Sequence, residues 1–276
     1  MIDRPVTRTA LSMTRRNFLS APLALRASAM PWPVLAQDKG LESGVLRVGV
    51  LSHYKPFSFV EGSLQGFDVE VLQRVAQILK VELQLHAEGM SSLQKKLASG
   101  EIALIANQLL TTPENRRQFD FVRAYANNQL VCVQHEDDSR DFLSLDDFVG
   151  KKLGVLAQTG IEDQARGALG KSVISYASAD AAFRQLSDKK LDAVLEESLI
   201  ADFYIERDAL PIKITSPFAP PLSAGWAVRK GNKTLSQTLS SGIQTMLSDG
   251  SFKSISSKWF GYDVSRRSVS HTSMPR

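Results

Sequence analysis

Residues 100–121, GEIALIANQLLTTPENRRQFDF, place an apolar run, a polar turn and a helix start in direct succession. The apolar run, IALIA, is typical of a buried parallel strand. Pro113 suits the first turn of a helix, with Thr112 as its N-cap. Ligands of open α/β sheets bind where strands end and helices begin. The polar residues at this junction, Asn107 and Gln108, and also Thr112, are therefore candidate ligand contacts.

Strands and amphipathic helices alternate along the rest of the chain, which predicts an α/β fold with a mostly parallel sheet. The predicted strands are 46–50, 81–85, 102–106, 153–156, 173–176, 191–195 and 225–229, and the predicted helices are 69–79, 93–97, 161–169, 180–186 and 235–247. Asp68 is the predicted cap of the first helix. A helix, a tight turn and a buried strand recur at the same spacing in Leu97–Ile105 and Leu186–Val194. Two similarly built lobes would show this recurrence, but any α/β unit can show it too.

The composition fits a globular protein and excludes several functions. With 276 residues, 43% of them hydrophobic, the chain can bury one large or two small cores. The single cysteine, Cys132, excludes an intramolecular disulfide and a multi-cysteine metal site. Residues 1–36 hold five arginines and one acid, and removing them from the 33 basic and 29 acidic residues leaves 28 of each. The remainder is neutral and has no basic patch, so nucleic-acid binding has little support.

The N-terminus has the pattern of an export signal. Thr14–Ser20, TRRNFLS, resembles the twin-arginine motif, and a mildly apolar stretch follows it. Small residues before Gln37 favour cleavage after Ala36, with Ala27–Ala29 as a second candidate site. A disordered basic arm is the alternative interpretation. No later segment approaches the ~18 apolar residues that a membrane span needs, so we expect a periplasmic mature protein that has lost residues 1–36.

Short motifs follow one another along the chain in an order known from one protein family. They are LRVG (46–49), YKPF (54–57), GFDV (66–69), TPE (112–114), DF (120–121), SLDDF (144–148), GKKLGV (150–155), LDAV (191–194), AVRKG (227–231) and WFG (259–261). In this order they resemble the bacterial extracellular solute-binding proteins of family 3, the periplasmic binding proteins of polar amino acid ABC importers. The resemblance covers residues 45–262. It implies a two-lobed periplasmic binding protein-like fold (type II), with the ligand in the cleft between the lobes.

The resemblance also implies how the chain is divided and what it contacts. Residues 45–128 with 219–262 are expected to form lobe 1, residues 129–218 lobe 2, and residues 263–276 a flexible tail. The expected partners are a small-molecule ligand and the membrane permease of an ABC importer. We expect a monomer without cofactor or metal, with no nucleic-acid partner and no catalytic residue.

Relatives in this family hold an amino acid between two electrostatic anchors, an arginine for the carboxylate and an acid for the ammonium group. Aligned on Thr112, the arginine position is Asn115 here. Arg116 could swing in as a replacement, or it is a solvated helix residue. The acid is retained as Glu197, whose alternative role is that of a surface carboxylate near a helix start. The implied ligand is a small polar amino acid or an amine-bearing solute.

Further site candidates come from strand ends and from the family register. Tyr54 and Phe57 follow the first predicted strand at its carboxyl end, where Tyr54 is a candidate wall of the site and Phe57 is either wall or core. The family register adds Gln158 and Thr159, in the loop after a strand of the second series. Met90 takes the place of a ring-stacking aromatic residue.

Three functions remain open on the sequence. In the leading hypothesis, a ligand closes the two lobes by a hinge motion and an importer recognises the closed form. The alternative is a periplasmic dehydratase resembling cyclohexadienyl dehydratase, with Glu197 as general acid or base. No Ser-His-Asp order, HExxH motif, glycine-rich phosphate loop or metal-spaced cluster supports catalysis. A third possibility, a ligand-sensing partner of a receptor, requires the same hinge as the first.

Overall fold

The computed structural model describes residues 41–42, 44–157 and 159–266, which lie within one compact unit, Pro33–Arg276. The strands are β1 (Leu41–Glu42), β2 (Val45–Leu51), β3 (His53–Tyr54), β4 (Ser58–Glu61), β5 (Ser63–Gln65), β6 (Glu82–Glu88), β7 (Leu104–Leu110), β8 (Phe119–Phe121), β9 (Ala126–Asn128), β10 (Leu130–His135), β11 (Leu153–Leu156), β12 (Val173–Tyr176), β13 (Ala193–Glu197), β14 (Ile212–Pro217) and β15 (Leu222–Arg229). The helices are α1 (Phe67–Leu79), α2 (Met90–Ser99), α3 (Pro113–Gln118), α4 (Gly160–Leu169), α5 (Ala179–Ser187), α6 (Ser198–Asp208), α7 (Lys233–Asp249) and α8 (Ser251–Phe260). None of the helices in these ranges is long and apolar enough to cross a membrane. The predicted export signal and Gln158 lie outside the described residues.

Two large mixed sheets and one small sheet form the scaffold. The first has seven strands in the order β1-β2-β7-β15-β8, with β6 beside β2 and β9 beside β15. The second has five strands in the order β12-β11-β13-β10-β14. Strands β3, β4 and β5 form a separate three-stranded antiparallel sheet. The sequence predicted a mostly parallel sheet, which is wrong in detail, because β15 runs antiparallel to β7 and β10 runs antiparallel to β13.

The chain passes between the two large sheets twice. Strand β9 ends at Asn128 in the first sheet, and β10 begins at Leu130 in the second. Strand β14 ends at Pro217 in the second sheet, and β15 begins at Leu222 in the first. We refer to the first sheet with its helices and the small sheet, which contacts β2 and α1, as the first lobe, and to the second sheet with its helices as the second lobe. The residue boundaries predicted for the lobes remain a prediction.

An aromatic cluster fixes the start of helix α1 within the first lobe. The Phe67 ring lies 5.1 Å from the ring of Phe260 and 5.8 Å from that of Phe252, and all three side chains are fully buried. Gly66 precedes the helix with φ of 139°, and a Cβ atom there would lie 2.2 Å from the carbonyl oxygen of Phe57. A glycine is therefore required where this helix meets the loop that carries Tyr54.

Asp68 does not cap helix α1, contrary to the sequence prediction. The cap residue is Gly66, which makes no side-chain capping bond. The fully buried Asp68 carboxylate instead accepts the hydroxyl of Tyr125 at 2.6 Å and Nε2 of Gln108 at 3.0 Å through one oxygen. Its other oxygen is buried without a partner, and burial raises the pKa of Asp68 to about 6.

Strand β7 begins later than predicted and continues through the polar pair that was expected to follow it. Leu110 pairs with Ala224 of β15, and this antiparallel pairing extends the strand past Asn107 and Gln108. The register shifts between Gly225 and Ala227. Gln108 has a φ of 48°, in the left-handed region, so the strand is irregular at this position.

Candidate ligand-binding site

A cavity of about 380 Å³ lies between the two large sheets, beside both crossings of the chain. Its polar wall consists of Tyr54, Asn128, Gln129, Thr159, Glu196 and Glu197. Its apolar wall consists of Leu110, Leu130, Leu156, Ile161, Leu195, Ala219, Pro220 and Leu222. A largely apolar cavity of this size with a few polar groups is typical of small-molecule sites.

Glu197 is the centre of the polar wall. It ends strand β13 and directly precedes helix α6, where the helix dipole favours a negative charge. One carboxylate oxygen, Oε2, accepts the hydroxyl of Tyr54 at 2.8 Å and Nδ2 of Asn128 at 2.6 Å. Burial raises the pKa of Glu197 above its usual value, and these two hydrogen bonds oppose that shift. Oε1 accepts no hydrogen bond from the described residues.

Asn128 joins strand β9, the last strand before the first crossing, to the start of helix α6. Its side chain is 1% exposed. Oδ1 accepts the backbone N–H of Gln129 at 3.0 Å, the hydroxyl of Ser198 at 3.1 Å and the backbone N–H of Leu199 at 3.3 Å. The Leu199 N–H lies at a helix start, where backbone N–H groups have no partner within the helix, and the Ser198 hydroxyl comes from the same first turn. Asn128 therefore fixes the position of Glu197 as well as donating to it.

Gln129 links the two crossings. Its Nε2 donates to the carbonyl oxygen of Ala219 at 2.5 Å, and its own carbonyl oxygen accepts the N–H of Ser198 at 2.8 Å. The side chain is 6% exposed, and its Oε1 is buried without a hydrogen-bond partner. Gln129 Oε1 is therefore an unsatisfied acceptor in the wall of the cavity, and a buried acceptor without a donor costs about 1–3 kcal/mol of folding free energy.

Glu196 is a second buried carboxyl group of the cavity wall. It is 5% exposed, and its Oε1 accepts the backbone N–H of Glu197 at 2.8 Å. Burial, and after it the neighbouring charge of Glu197, raises the pKa of Glu196 to about 8. No basic side chain belongs to the described cavity wall. The site is therefore acidic and has no counter-charge of its own in that wall.

Thr159 reaches the cavity from the second lobe. It caps helix α4 by accepting the N–H of Glu162 at 3.3 Å, and its hydroxyl donates to the carbonyl oxygen of Leu156 at 2.7 Å. Its hydroxyl proton is thus already used within the protein.

Two predicted site residues, Asn107 and Gln108, are not part of this cavity wall. Asn107 accepts the N–H of Leu51 at 2.9 Å and donates to the hydroxyl of Ser58 at 2.8 Å. Gln108 donates to Asp68. Both side chains are buried, at 3% and 2% exposure. Their hydrogen bonds hold the first lobe together, and a ligand contact stays a prediction for them.

The predicted residues around helix α3 also lie outside the described wall. Thr112 caps the helix by accepting the N–H of Asn115 at 3.2 Å. Asn115 donates its Nδ2 to the carbonyl oxygen of Leu110 at 2.8 Å. Arg116 is exposed, donates Nε to the carbonyl oxygen of Thr111 and lies over the ring of Phe121. No positively charged residue of helix α3 belongs to the described cavity wall. The helix is hydrogen-bonded to that wall through Asn115 and the carbonyl oxygen of Leu110.

Phe57 lies in the packed interior of the first lobe, and Met90 is partly buried beside a smaller cluster. Phe57 is fully buried, with its ring 5.0 Å from that of Tyr54, so it supports the wall from behind. Met90 packs against a small cluster that includes Leu93 and Ile105.

Asn128, Gln129 and Glu196 are wall residues that the sequence reasoning did not select. The predicted boundary between the lobes, at residues 128 and 129, is the signal that could have identified the first two, because a segment that crosses between the lobes must pass beside the cleft. Glu196 directly precedes Glu197 in strand β13. The family register pointed to Glu197 and not to its neighbour.

The two sheets, the two crossings and the cavity between them define a two-lobed type II periplasmic binding protein-like fold. The chain belongs to the bacterial extracellular solute-binding proteins, family 3, whose family model matches residues 46–262. The resemblance seen in the sequence motifs is thereby confirmed.

Individual relatives cover most of the chain. It is 30% identical to the L-cystine-binding protein TcyJ of Escherichia coli (strain K12) over 237 residues, 83% of this chain and 89% of the relative. It is 29% identical to the L-arginine-binding protein of Pseudomonas aeruginosa over 253 residues, 87% of this chain and 95% of the relative. A solved structure of an ancestral cationic amino acid solute binding protein has a TM-score of 0.70 and 25% identity, over 81% of this chain and 98% of that chain. These relatives are named as binding proteins, not enzymes.

Proposed function

We propose that this protein captures a small amine-bearing solute, an amino acid or a simple amine, between its two lobes and delivers it to the membrane permease of an ABC importer. The observation that carries the proposal is the acidic wall of the cavity, where Glu196 and Glu197 meet no basic residue of the described wall. A buried carboxylate is costly unless it is paired. A protonated amine supplies the missing charge.

The geometry around Glu197 supports capture by closure of the lobes. Tyr54 comes from the first lobe and Glu197 from the second, and Asn128 lies at a crossing between them. A ligand held by Glu197 would contact both lobes at once, which favours the closed arrangement by the difference in its affinity for the closed and open forms.

The relatives support the same class of ligand. Two of them are named for cationic ligands, L-arginine and cationic amino acids, and one for L-cystine. All three ligands carry α-amino groups, so an acid that accepts an ammonium group is common to their chemistry.

Calorimetric titration of the mature chain with L-lysine, L-arginine, L-cystine and cadaverine tests the proposal. We expect at least one to bind, and a ligand at a hundred times its Kd to add about 2.7 kcal/mol to the free energy of unfolding. Glu197→Gln should weaken binding at least tenfold. Glu206→Gln, an exposed position on helix α6, is the matched control and should leave affinity unchanged. Equal affinities of the wild type and Glu197→Gln would contradict the proposed role of Glu197.

Delivery to an importer requires the protein to reach the periplasm. We propose that the predicted N-terminal signal directs its export by the twin-arginine route. Replacing Arg15 and Arg16 by lysine should retain the chain in the cytoplasm if the twin-arginine route is used. Continued export of this variant would contradict that route without affecting the ligand proposal.

A further inference from the structure

Glu196 has no structural partner that explains why a carboxyl group is buried there. Its single hydrogen bond within the described residues comes from the backbone N–H of Glu197, at 2.8 Å. A glutamine would accept that bond equally well. No cation of the described cavity wall offsets its burial. An acid kept at such a position, at a cost in folding free energy, is more useful for a ligand than for the fold.

The two acids occupy different sides of strand β13. Glu196 is paired with Val131 and Glu197 with Leu130, so they are consecutive positions of one ladder. Consecutive side chains of a strand leave it in opposite directions. The preceding pair shows this alternation, because Val194 and Leu195 belong to different core clusters. Two carboxylates that border one cavity from different directions form two separate positions for positive groups.

A second observation points to a ligand that brings hydrogen-bond donors. Gln129 lies in the same wall and is 6% exposed, and its side-chain oxygen Oε1 has no hydrogen-bond partner. The hydroxyl protons of Tyr54 and Thr159 are already donated within the protein. The wall oxygens that accept no hydrogen bond from the described residues include Gln129 Oε1 and Glu197 Oε1, and such acceptors suit ammonium and guanidinium groups.

We propose that Glu196 is a specificity-determining residue that binds a second cationic group of the ligand while Glu197 binds the first. The favoured ligands are then solutes with two positive groups, such as diamines and basic amino acids. This inference rests on the proposed function, which requires only one amine.

Cadaverine and pentylamine are the sharpest pair of probes, because they share a five-carbon chain and differ in the second amine. Calorimetric titration of the wild-type chain should show that cadaverine binds at least tenfold more tightly than pentylamine. Glu196→Gln should lower the affinity for cadaverine at least tenfold and change the affinity for pentylamine less than twofold. Glu206→Gln is the control and should change neither affinity.

Proton release gives a readout that a purely structural role would not produce. The titratable groups that face Glu196 are Glu197, Tyr54 and Tyr204. The pKa values of both tyrosines are raised by burial, so the tyrosines stay neutral near pH 7. Because burial raises the pKa of Glu196 to about 8, a bound diamine should expel its proton. Titrations at pH 7 in two buffers of different ionisation enthalpy should show this release in the wild type and less of it in Glu196→Gln.

The outcomes separate this inference from the proposed function. If pentylamine and cadaverine bind the wild type equally, or if their ratio survives Glu196→Gln, the inference is overturned and the proposed function stands. If neither amine nor any of the tested amino acids binds the wild type, the proposed function is overturned, and the inference falls with it.

Discussion

The hydroxyl of Tyr54 donates to Oε2 of Glu197 at 2.8 Å, between residues 143 positions apart in the chain. Tyr54 belongs to the small three-stranded sheet, and Glu197 ends a strand of the five-stranded sheet. Asn128 donates to the same oxygen at 2.6 Å. One carboxylate oxygen thus connects the two lobes, and the other accepts no hydrogen bond from the described residues.

Tyr54→Phe tests how much this link stabilises the protein. A hydrogen bond to a charged group contributes about 1.5–3 kcal/mol, so we expect the free energy of unfolding to fall by an amount in that range. The measurement is thermal or urea unfolding of the ligand-free chain. Tyr176→Phe is the control, because the Tyr176 hydroxyl makes no hydrogen bond with the described part of the chain. Equal losses in the two variants would show that the link contributes little.

Asn128→Leu should be more damaging than Asn127→Leu. Asn128 accepts three hydrogen bonds and donates one to Glu197, and it is 1% exposed. Each buried group left without a partner costs about 1–3 kcal/mol. Asn127 accepts one bond from the hydroxyl of Ser223 at 3.2 Å.

Urea unfolding of the two variants measures the difference. We expect Asn128→Leu to lose about 3 kcal/mol or more and Asn127→Leu about 1 kcal/mol. A loss of the same size at both positions would contradict the role of Asn128 in holding the start of helix α6.

The sequence was informative where local chemistry and strand position agree. Thr112 caps helix α3 before Pro113, as predicted, because an N-cap is a local interaction. Tyr54 and Glu197 lie in the cavity wall, as expected for residues at strand ends. Whether they contact the ligand stays a prediction.

The sequence was less informative where distant partners decide what a side chain contacts. Asn107 and Gln108 are polar residues in an apolar run, but their partners, Ser58 and Asp68, lie about 40 or more positions away. No local pattern shows whether such a residue serves a ligand or another part of the chain. Glu196 was missed for a similar reason, because it is buried in a strand that pairs with Val131 of β10, a distant part of the chain.

Affinity for a cationic ligand should rise with pH from 6 to 8. The pKa of Glu196 is raised to about 8, so below this pH the ligand must displace a proton from a neutral carboxyl group. Linkage of one proton gives at most about a tenfold change in affinity per pH unit, and the curve should level off above pH 8. Amines of ordinary pKa stay protonated over this range.

Titration with cadaverine at pH 6, 7 and 8 measures this dependence. Glu197, Tyr54 and Tyr204 are the other titratable groups facing Glu196, and Glu196→Gln separates its contribution from theirs. The variant should show a flatter profile. A profile that is identical in the variant would assign the dependence to another group.

Compared with the wild type, the Asp68→Asn variant should be more stable at high pH than at low pH. The pKa of Asp68 is raised from 3.8 to about 6 by burial, so the folded state binds its proton more tightly than the unfolded state. The stability gained from this proton is complete below about pH 4 and is lost as pH rises through 6. The rise in the pKa of Asp68 from 3.8 to about 6 corresponds to about 3 kcal/mol.

The measurement is the difference in unfolding free energy between the variant and the wild type at pH 4 and at pH 8. The asparagine keeps an oxygen for Tyr125 and Gln108, so the bonds to Asp68 Oδ1 are retained. We expect the difference to move in favour of the variant by up to about 3 kcal/mol between the two pH values. A difference independent of pH would mean that Asp68 is charged in the folded protein throughout.

Asn115→Arg should restore a preference for ligands that carry a carboxylate. In the family register Asn115 takes the place of the arginine that grips the α-carboxylate, and its Nδ2 is bonded to the carbonyl oxygen of Leu110, a wall residue. A guanidinium group reaching past Leu110 would add charge-assisted bonds of about 1.5–3 kcal/mol, or tenfold and more in affinity. The measurement is the ratio of L-lysine to cadaverine affinity, which should rise at least tenfold in the variant.

Arg116→Gln is the companion variant and should leave the wild-type ratio unchanged, because Arg116 is exposed and turned to the carbonyl oxygen of Thr111. A fall in L-lysine affinity with Arg116→Gln would instead identify Arg116 as the carboxylate anchor.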